Sequence, residues 1–201
     1  DILYFADSLG SLIPSDLKLI INSFRNHWHG PLGIHAHDNK SLALSNTLEA
    51  IKLGVDWVDS TITGIGRGPG NVKTEELIIE LNKNNQDALN LVPLIKLINK
   101  EFTPLKNKYL WGTNLFYYLS GEYSIHPSYI QSMLTDCRYQ EEDILASINY
   151  LKEKDGKKFN FNELDDTRKF YNSEPKGSWN PKNMLDGKDV LIIGTGKELK
   201  R

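Results

Sequence analysis

A single cysteine, Cys137, occurs in 201 residues, so no disulfide can form within the chain, and a reducing compartment is the expected setting. Long apolar runs are missing too: no stretch of these residues reads as a membrane span or a secretory signal. Neither sign of charge is in surplus, with 24 Lys and Arg against 26 Asp and Glu, and no basic block interrupts the pattern. A nucleic-acid or membrane partner is therefore not expected, and the balance fits a cytoplasmic enzyme.

What is present is an alternation of short apolar runs and amphipathic stretches. Ile2 to Ala6 reads as a strand ending at Asp7-Ser8-Leu9-Gly10. A helix follows from about Pro14-Ser15-Asp16, with Leu17, Ile20, Ile21 and Phe24 on its apolar face. Gly30-Pro31 precedes a second strand through Leu32 and Ile34. From about Ser41 to Leu53 a helix buries Leu42, Leu44, Leu48 and Ile51 beside the small Ala43 and Ala50. Val55 to Ile62 is a third strand, and a helix from about Thr74 to Lys83 carries Glu75 and Glu76 in its first turn, where the macrodipole favours negative charge. Strand and helix in regular succession with short connections predict a parallel sheet. Ala88 to Ile98 gives a further short strand or its helix. Residues from about Tyr109 to Tyr171 look helical, with an apolar ridge of Leu110, Trp111, Leu115, Phe116, Tyr118 and Leu119. Pro127 starts a helix containing Ile130, Met133 and Leu134, and another runs from roughly Glu141 to Lys152.

Residues 172–181 are turn-rich and mark a boundary, with Trp179 expected to dock on a neighbour. Lys188 to Glu198 reads as a buried strand entering the turn Gly194-Thr195-Gly196, as at the start of a nucleotide-binding α/β domain, although the full Gly-x-Gly-x-x-Gly is not completed.

The chemistry concentrates in Gly33-Ile34-His35-Ala36-His37-Asp38-Asn39 and in Gly64-Ile65-Gly66-Arg67-Gly68-Pro69-Gly70-Asn71. Side chains alternate along a strand, so the imidazoles of His35 and His37 point the same way, as two ligands of one divalent cation would. Imidazole suits Zn, Mn, Fe or Ni, and completion by carboxylate, amide oxygen and water shifts the choice toward Mn or Mg. The bland alternative is a hydrogen-bonded, catalytically idle pair. Asp7, Ser8, His35, His37, Asp59 and Asn71 all fall at or just beyond the C-terminal end of a strand, which in parallel barrels is the catalytic face. In Tyr123 to Tyr129, His126 and Tyr129 have the chemistry for proton transfer, set against an ordinary helix start. His27 and His29 sit on the surface at the opposite side.

Residues 1 to about 85 resemble the second half of the barrel of the metal-dependent pyruvate-aldolase and hydroxymethylglutaryl-CoA-lyase-like superfamily, which also contains isopropylmalate and homocitrate synthases. The resemblance rests on Ala6-Asp7-Ser8-Leu9-Gly10, His35-Ala36-His37-Asp38-Asn39, Asn46-Thr47-Leu48-Glu49-Ala50, Val58 to Gly66, and Gly70-Asn71, in that order. It implies that His35 and His37 bind the divalent metal with Asn71 reaching it in some members. It also implies that Ser8 helps hold the carboxylate of a 2-oxo acid, and that the loop with Arg67 and Gly68 lies near the substrate. Members that cleave hydroxymethylglutaryl-CoA carry a cysteine in that loop; here Arg67 stands between Gly66 and Gly68, which favours the 4-hydroxy-2-oxovalerate aldolase-like branch.

The family's first strand supplies an aspartate ligand and an arginine, and this chain opens on what resembles the fifth strand. The expectation is therefore an α/β fold holding a partial (β/α)8 TIM barrel, about strands 5–8, in residues 1–105. A helical extension at 106–171, a linker at 172–187 and the start of a truncated Rossmann-like domain at 188–201 would follow. Such a segment is expected to be inactive alone, and to form a homo-oligomer or pair with the missing barrel half. The implied activity is a metal-dependent carbon–carbon lyase joining or cleaving a 2-oxo acid and an aldehyde. Alternatives are an aldol-type acyl-CoA synthase of the isopropylmalate synthase kind, a non-catalytic metal-binding domain of a surface-glycan biosynthesis protein, or a nucleotide-binding module at the C-terminal strand.

Overall fold

Alternation in the first strand decides which side of the sheet carries chemistry. The structure, a computed structural model, describes residues 1–83, 89–154, 156–167 and 187–188. Strand β1 (Leu3–Asp7) turns Leu3 and Phe5 toward helix α1 (Pro14–Arg25), where they pack with Leu17, Ile21, Leu32 and Ile34, and leaves Tyr4 and Ala6 on the other face. Strand β2 (Leu32–Ala36) pairs parallel with β1, and β3 (Trp57–Val58) pairs parallel with β2. Tyr4, Gly33 and Trp57 thus form one row across the sheet. A Cβ on Gly33 would collide with the Tyr4 ring, so glycine is what lets that ring lie across the sheet.

Helix α2 (Ala43–Lys52) links β2 to β3, as parallel pairing requires. Asp16 accepts the Ile13 N–H at 3.1 Å, closing the start of α1. At the opposite end of α1, Arg25 donates to the carbonyls of Gly30 and Gly54 and pairs with Asp56 at 3.2 Å, tying the entries of β2 and β3 together.

The third strand is shorter than the expected Val55 to Ile62. Beyond Val58 the backbone changes partner: Asp59 N–H still reaches the Ile34 carbonyl, but Thr61 N–H goes to Val72 and Thr74 N–H returns to Thr61. The chain then makes a 3₁₀ turn over Ile62–Gly64 before α3 (Thr74–Asn82).

A fourth strand, expected for barrel strands 5–8, is not found among the described residues; of the strand or helix expected over Ala88 to Ile98, the described part holds a helix. Helix α4 (Val92–Leu97) runs through a π-helical stretch, Ile98–Phe102, into α5 (Thr103–Tyr109). Pro104 has no N–H for the ladder, and the wider turn directly precedes it.

Helices α6 (Leu115–Glu122), α7 (Pro127–Leu134), α8 (Glu141–Glu153) and α9 (Phe161–Thr167) enclose a second core of Tyr117, Ile125, Tyr129, Ile130, Met133, Ile144, Ile148, Leu151 and Leu164. Of the expected ridge, Trp111 is buried and Phe116 and Leu119 pack against this core, while Leu110, Leu115 and Tyr118 are exposed; Asn114 caps α6 by accepting the Tyr117 N–H, and it is Tyr117 that turns inward in place of Tyr118.

The helical part sits on the strand ends. Fully buried Asn39 donates to Ser120 Oγ at 3.1 Å, Thr113 donates to the Asn39 carbonyl at 2.6 Å, and Lys40 pairs with Glu122 at 2.7 Å. Residues 1–171 form one compact unit and 172–201 a second, so the expected border at 105/106 falls inside the first. Residues 172–186, including Trp179, and the Gly194-Thr195-Gly196 turn lie outside the described residues. Among the described residues no helix is long and apolar enough to cross a membrane.

Gly10 lies against Asn39 with a positive φ of 60°, and a Cβ there would overlap the Asn39 side chain. Gly10→Ala is expected to cost about 2 kcal/mol or more in urea denaturation, from backbone strain and overpacking combined. A loss below about 0.5 kcal/mol would show that the joint tolerates a methyl group.

Candidate metal centre

His35 lies in β2 and His37 one residue beyond its end, with ring centroids 4.8 Å apart and ring planes at 86°. Each ring is held through Nδ1. His37 Nδ1 lies 2.7 Å from the Asp7 carbonyl oxygen, and His35 Nδ1 lies 3.0 Å from Asp59 Oδ2. A carbonyl oxygen only accepts, so His37 carries its proton on Nδ1, and a carboxylate imposes the same assignment on His35. Both Nε2 lone pairs are left for a cation. This is the outer-shell pattern of ligating histidines, in which a carboxylate or backbone carbonyl fixes tautomer and ring orientation.

Asp59 is itself held, since Tyr4 donates its hydroxyl to Asp59 Oδ1 at 3.2 Å. Buried Asp7 accepts the N–H groups of Ser11 and Leu12 with its carboxylate, fixing the loop that presents its carbonyl; burial raises its pKa. His37 is pushed below the usual imidazole range, chiefly by burial, with the charges of His35 and Arg67 acting in the same direction. At neutral pH it is therefore in the form that binds metal.

Asn71 faces His37 across an isolated antiparallel bridge, and Asp38 N–H reaches the Gly70 carbonyl at 3.0 Å. The Asn71 amide donates to the Ile65 carbonyl at 3.1 Å, while its Oδ1 accepts no hydrogen bond among the described residues. Ser8 is exposed at the end of β1, directly after the residue that holds His37. Gly68, with a φ of 60°, lies against the Tyr117 ring, and its carbonyl accepts the Gly112 N–H at 2.9 Å. Arg67 is exposed, and its charge acts on His37, His126 and Tyr117 alike.

The two residues expected to move protons part company. His126 caps α7, its Nδ1 accepting the Ser128 N–H at 3.2 Å, and its pKa is lowered by burial and then by Arg67 and His37. An acceptor at Nδ1 places the proton of the neutral ring on Nε2, the reverse of His35 and His37. The charge of Arg67 thus acts on His126 as it does on His37. Tyr129 is a correction: fully buried, it donates to the Lys158 carbonyl and to Glu163 Oε2 at 2.6 Å and accepts from Asn160 N–H. Burial, then Glu163, raises its pKa strongly, and its hydroxyl serves the second core instead of a substrate. His27 and His29 are exposed.

Among the described residues no group of three or more His, Cys, Asp and Glu is arranged to hold a metal. The donors present are two imidazoles and an amide oxygen. They fit part of a cation's shell, about three of the six positions that Mg or Mn fills.

The parallel sheet, with helices linking its strands and the imidazole pair at its C-terminal edge, is an α/β arrangement. Residues 1–99 match the family model described as HMGL-like. The 4-hydroxy-2-oxovalerate aldolase of Brevibacillus brevis is 35% identical over 106 residues, covering 52% of this chain and 31% of the aldolase. The 2-isopropylmalate synthase of Methanocaldococcus jannaschii is 32% identical over 129 residues, covering 60% of this chain and 25% of the synthase. Among solved structures, the N-terminal domain of a protein assigned as an aldolase from Bacteroides vulgatus superposes with a TM-score of 0.64 at 40% identity, covering 72% of this chain and 47% of that one. The chain thus spans under a third of the length of these curated relatives.

Folding lowers the proton affinity of His37, so below its ordinary value of 6.5 the unfolded chain holds more protons and stability falls as pH drops. Thermal melts at pH 5 and pH 7 are expected to differ less in His37→Gln than in the unaltered chain. Nitrogen-15 spectra of the rings at neutral pH should show Nδ1–H for His37 and Nε2–H for His126; the opposite pattern would refute the hydrogen-bond assignment.

Proposed function

We propose that the protein is a divalent-metal-dependent carbon–carbon lyase of the aldolase kind, acting on a 2-oxo acid and an aldehyde. The observation that carries this reading is the pair of Nδ1 hydrogen bonds, to Asp59 and to the Asp7 carbonyl, that frees two Nε2 lone pairs on one edge of a parallel sheet. His35 and His37 would hold the cation with the Asn71 amide, and filling the remaining positions with water and substrate oxygens would favour Mn or Mg over Zn. When bound, such a cation supplies Lewis-acid stabilisation for the enolate of a 2-oxo acid.

The chain's own residues do the remainder. Asp59 keeps the His35 ring in register, and Tyr4 keeps Asp59 in place. The Ser8 hydroxyl holds the substrate carboxylate. Arg67 offers a positive charge that faces no carboxylate partner among the described residues, which suits it to an anionic substrate or a developing oxyanion. His126 transfers a proton through Nε2. Tyr129 has no part in this scheme.

The match to the Methanocaldococcus jannaschii synthase favours a second reading, an aldol-type acyl-CoA synthase, which would use the same imidazole pair. Exchange of pyruvate methyl protons into deuterated water separates the two. Mn²⁺-dependent exchange lost in His37→Ala is the aldolase outcome, whereas turnover that needs an acyl-CoA is the synthase outcome. Mn²⁺ binding with neither reaction would leave a non-catalytic metal domain.

Calorimetric titration of this chain with Mn²⁺ tests the site itself. Asp59→Ala is expected to weaken binding by about 10- to 100-fold, as loss of a ring-orienting partner does. His35→Ala and His37→Ala should each weaken it further. Equal affinities in all four proteins would remove the imidazole pair from the metal site.

A further inference from the structure

A cavity of about 510 Å³ opens between the loop at residues 65–68, the segment at residues 109–111 and helices α6 and α7. Its size falls within the ~300–1,000 Å³ of small-molecule sites. Much of it is built by residues 109–135, beyond the segment that matches the family model. Its walls are apolar and aromatic: Ile65, Leu110, Trp111, Tyr117 and Leu134.

Three of the polar side chains on the lining are already engaged. Trp111 Nε1 donates to the Thr63 carbonyl at 3.0 Å, Asn114 Oδ1 caps α6, and the Thr135 hydroxyl donates to the Gln131 carbonyl at 2.9 Å. Four polar side-chain groups on the wall make no hydrogen bond or ion pair among the described residues: the Arg67 guanidinium, the Gln131 amide and the hydroxyls of Tyr109 and Tyr117, of which only Arg67 carries a charge. Arg67 therefore belongs to two places at once. It lines the cavity, and its charge reaches His37 and His126.

We propose that this cavity binds the body of the second reactant, and that this reactant is an oxo compound with an apolar or aromatic body whose carbonyl oxygen lies toward Arg67. An apolar wall offers little to a short or polyhydroxylated aldehyde, since each buried hydroxyl without a partner carries a desolvation penalty. A ring or branched chain instead gains by leaving water, and the guanidinium at one end orients its oxygen. The cavity then sets which reactant is accepted, while the imidazole edge sets the chemistry. The inference rests on the lyase reading for its reaction, but not for its binding.

The test uses inert carbonyl probes with the full 201-residue chain. Phenylacetamide is expected to shift the Trp111 indole N–H signal in nitrogen-15 NMR spectra, with the signal assigned through Trp111→Phe. Acetamide at the same concentration should leave it in place. Leu134→Trp, on a half-exposed helical position that borders the cavity, should weaken phenylacetamide by about tenfold or more while leaving Mn²⁺ affinity within about twofold. Identical shifts from the two probes, or phenylacetamide binding unaltered by Leu134→Trp, would overturn the proposal. Cavity binding without Mn²⁺ binding supports the cavity and overturns the lyase reading; Mn²⁺ binding with an unperturbed Trp111 signal does the reverse.

Discussion

The hydrogen bond from His37 to the Asp7 carbonyl joins the ends of two parallel strands and at the same time decides which nitrogen of the ring can bind a cation. Its partner on the next strand, His35 to Asp59, does the same between β2 and the segment after β3. Two imidazoles left unheld could rotate about χ2 and exchange tautomers, and the pair would then present no fixed donor set. Locked through Nδ1, they present two lone pairs without reorganisation when a cation arrives. The sheet beneath serves this arrangement. Only with glycine at position 33 can Tyr4 lie across β2 to reach Asp59.

Above the sheet, a second set of contacts holds the helical part against the same edge. Asn39 is buried between the loop after β2 and helix α6, with Gly10 pressed against it from the loop after β1. Trp111 reaches down to Thr63, and Gly112 to Gly68. These bonds end on loops that follow three different strands, so the loop carrying Arg67 is fixed from both sides. A site on a loop gains precision only when that loop is pinned to rigid elements, and here backbone hydrogen bonds do the pinning. The Oδ1 of Asn39 is buried with no hydrogen-bond partner among the described residues, a cost that the joint carries for its close packing.

Much of this was legible in the residues because period-two alternation in a strand is a strong local signal. His35 and His37 could be placed on one face from spacing alone, and the succession of strands and helices led to parallel pairing. Contacts that depend on register were harder. Asp59 stood among the polar residues at strand ends, but its bond to His35 follows from the row Tyr4, Gly33, Trp57, which no local pattern states. The third strand looked longer than it is because Thr61 and Ile62 have strand-like side chains while their backbone turns to Val72. In the helical part the missing information was phase: the Asn114 cap sets the frame of α6 and buries Tyr117 in place of Tyr118. Tyr129 resembled His126 as a polar aromatic beside a helix start, and only the Glu163 and Lys158 contacts separate a core hydroxyl from one that could meet a substrate.

That separation bears on how the proposed site at the sheet edge and the cavity differ. The residues proposed to hold a metal all lie within the segment that matches the HMGL-like model, where side chains answer to strand geometry and have little freedom to vary without losing the imidazole pair. The cavity beyond Arg67 answers to a looser condition, since helices α6 and α7 need only keep the joint at Asn39 and their own core. Exposed or half-exposed positions such as Leu110 and Leu134 line that cavity without supporting either. Substitution there changes the shape offered to a reactant at little cost to folding, whereas substitution at His35, Asp59 or Gly33 disturbs the donors themselves. Chemistry and selectivity thus rest on different physical constraints in the same chain, and Arg67, exposed on a pinned loop, is where the two meet.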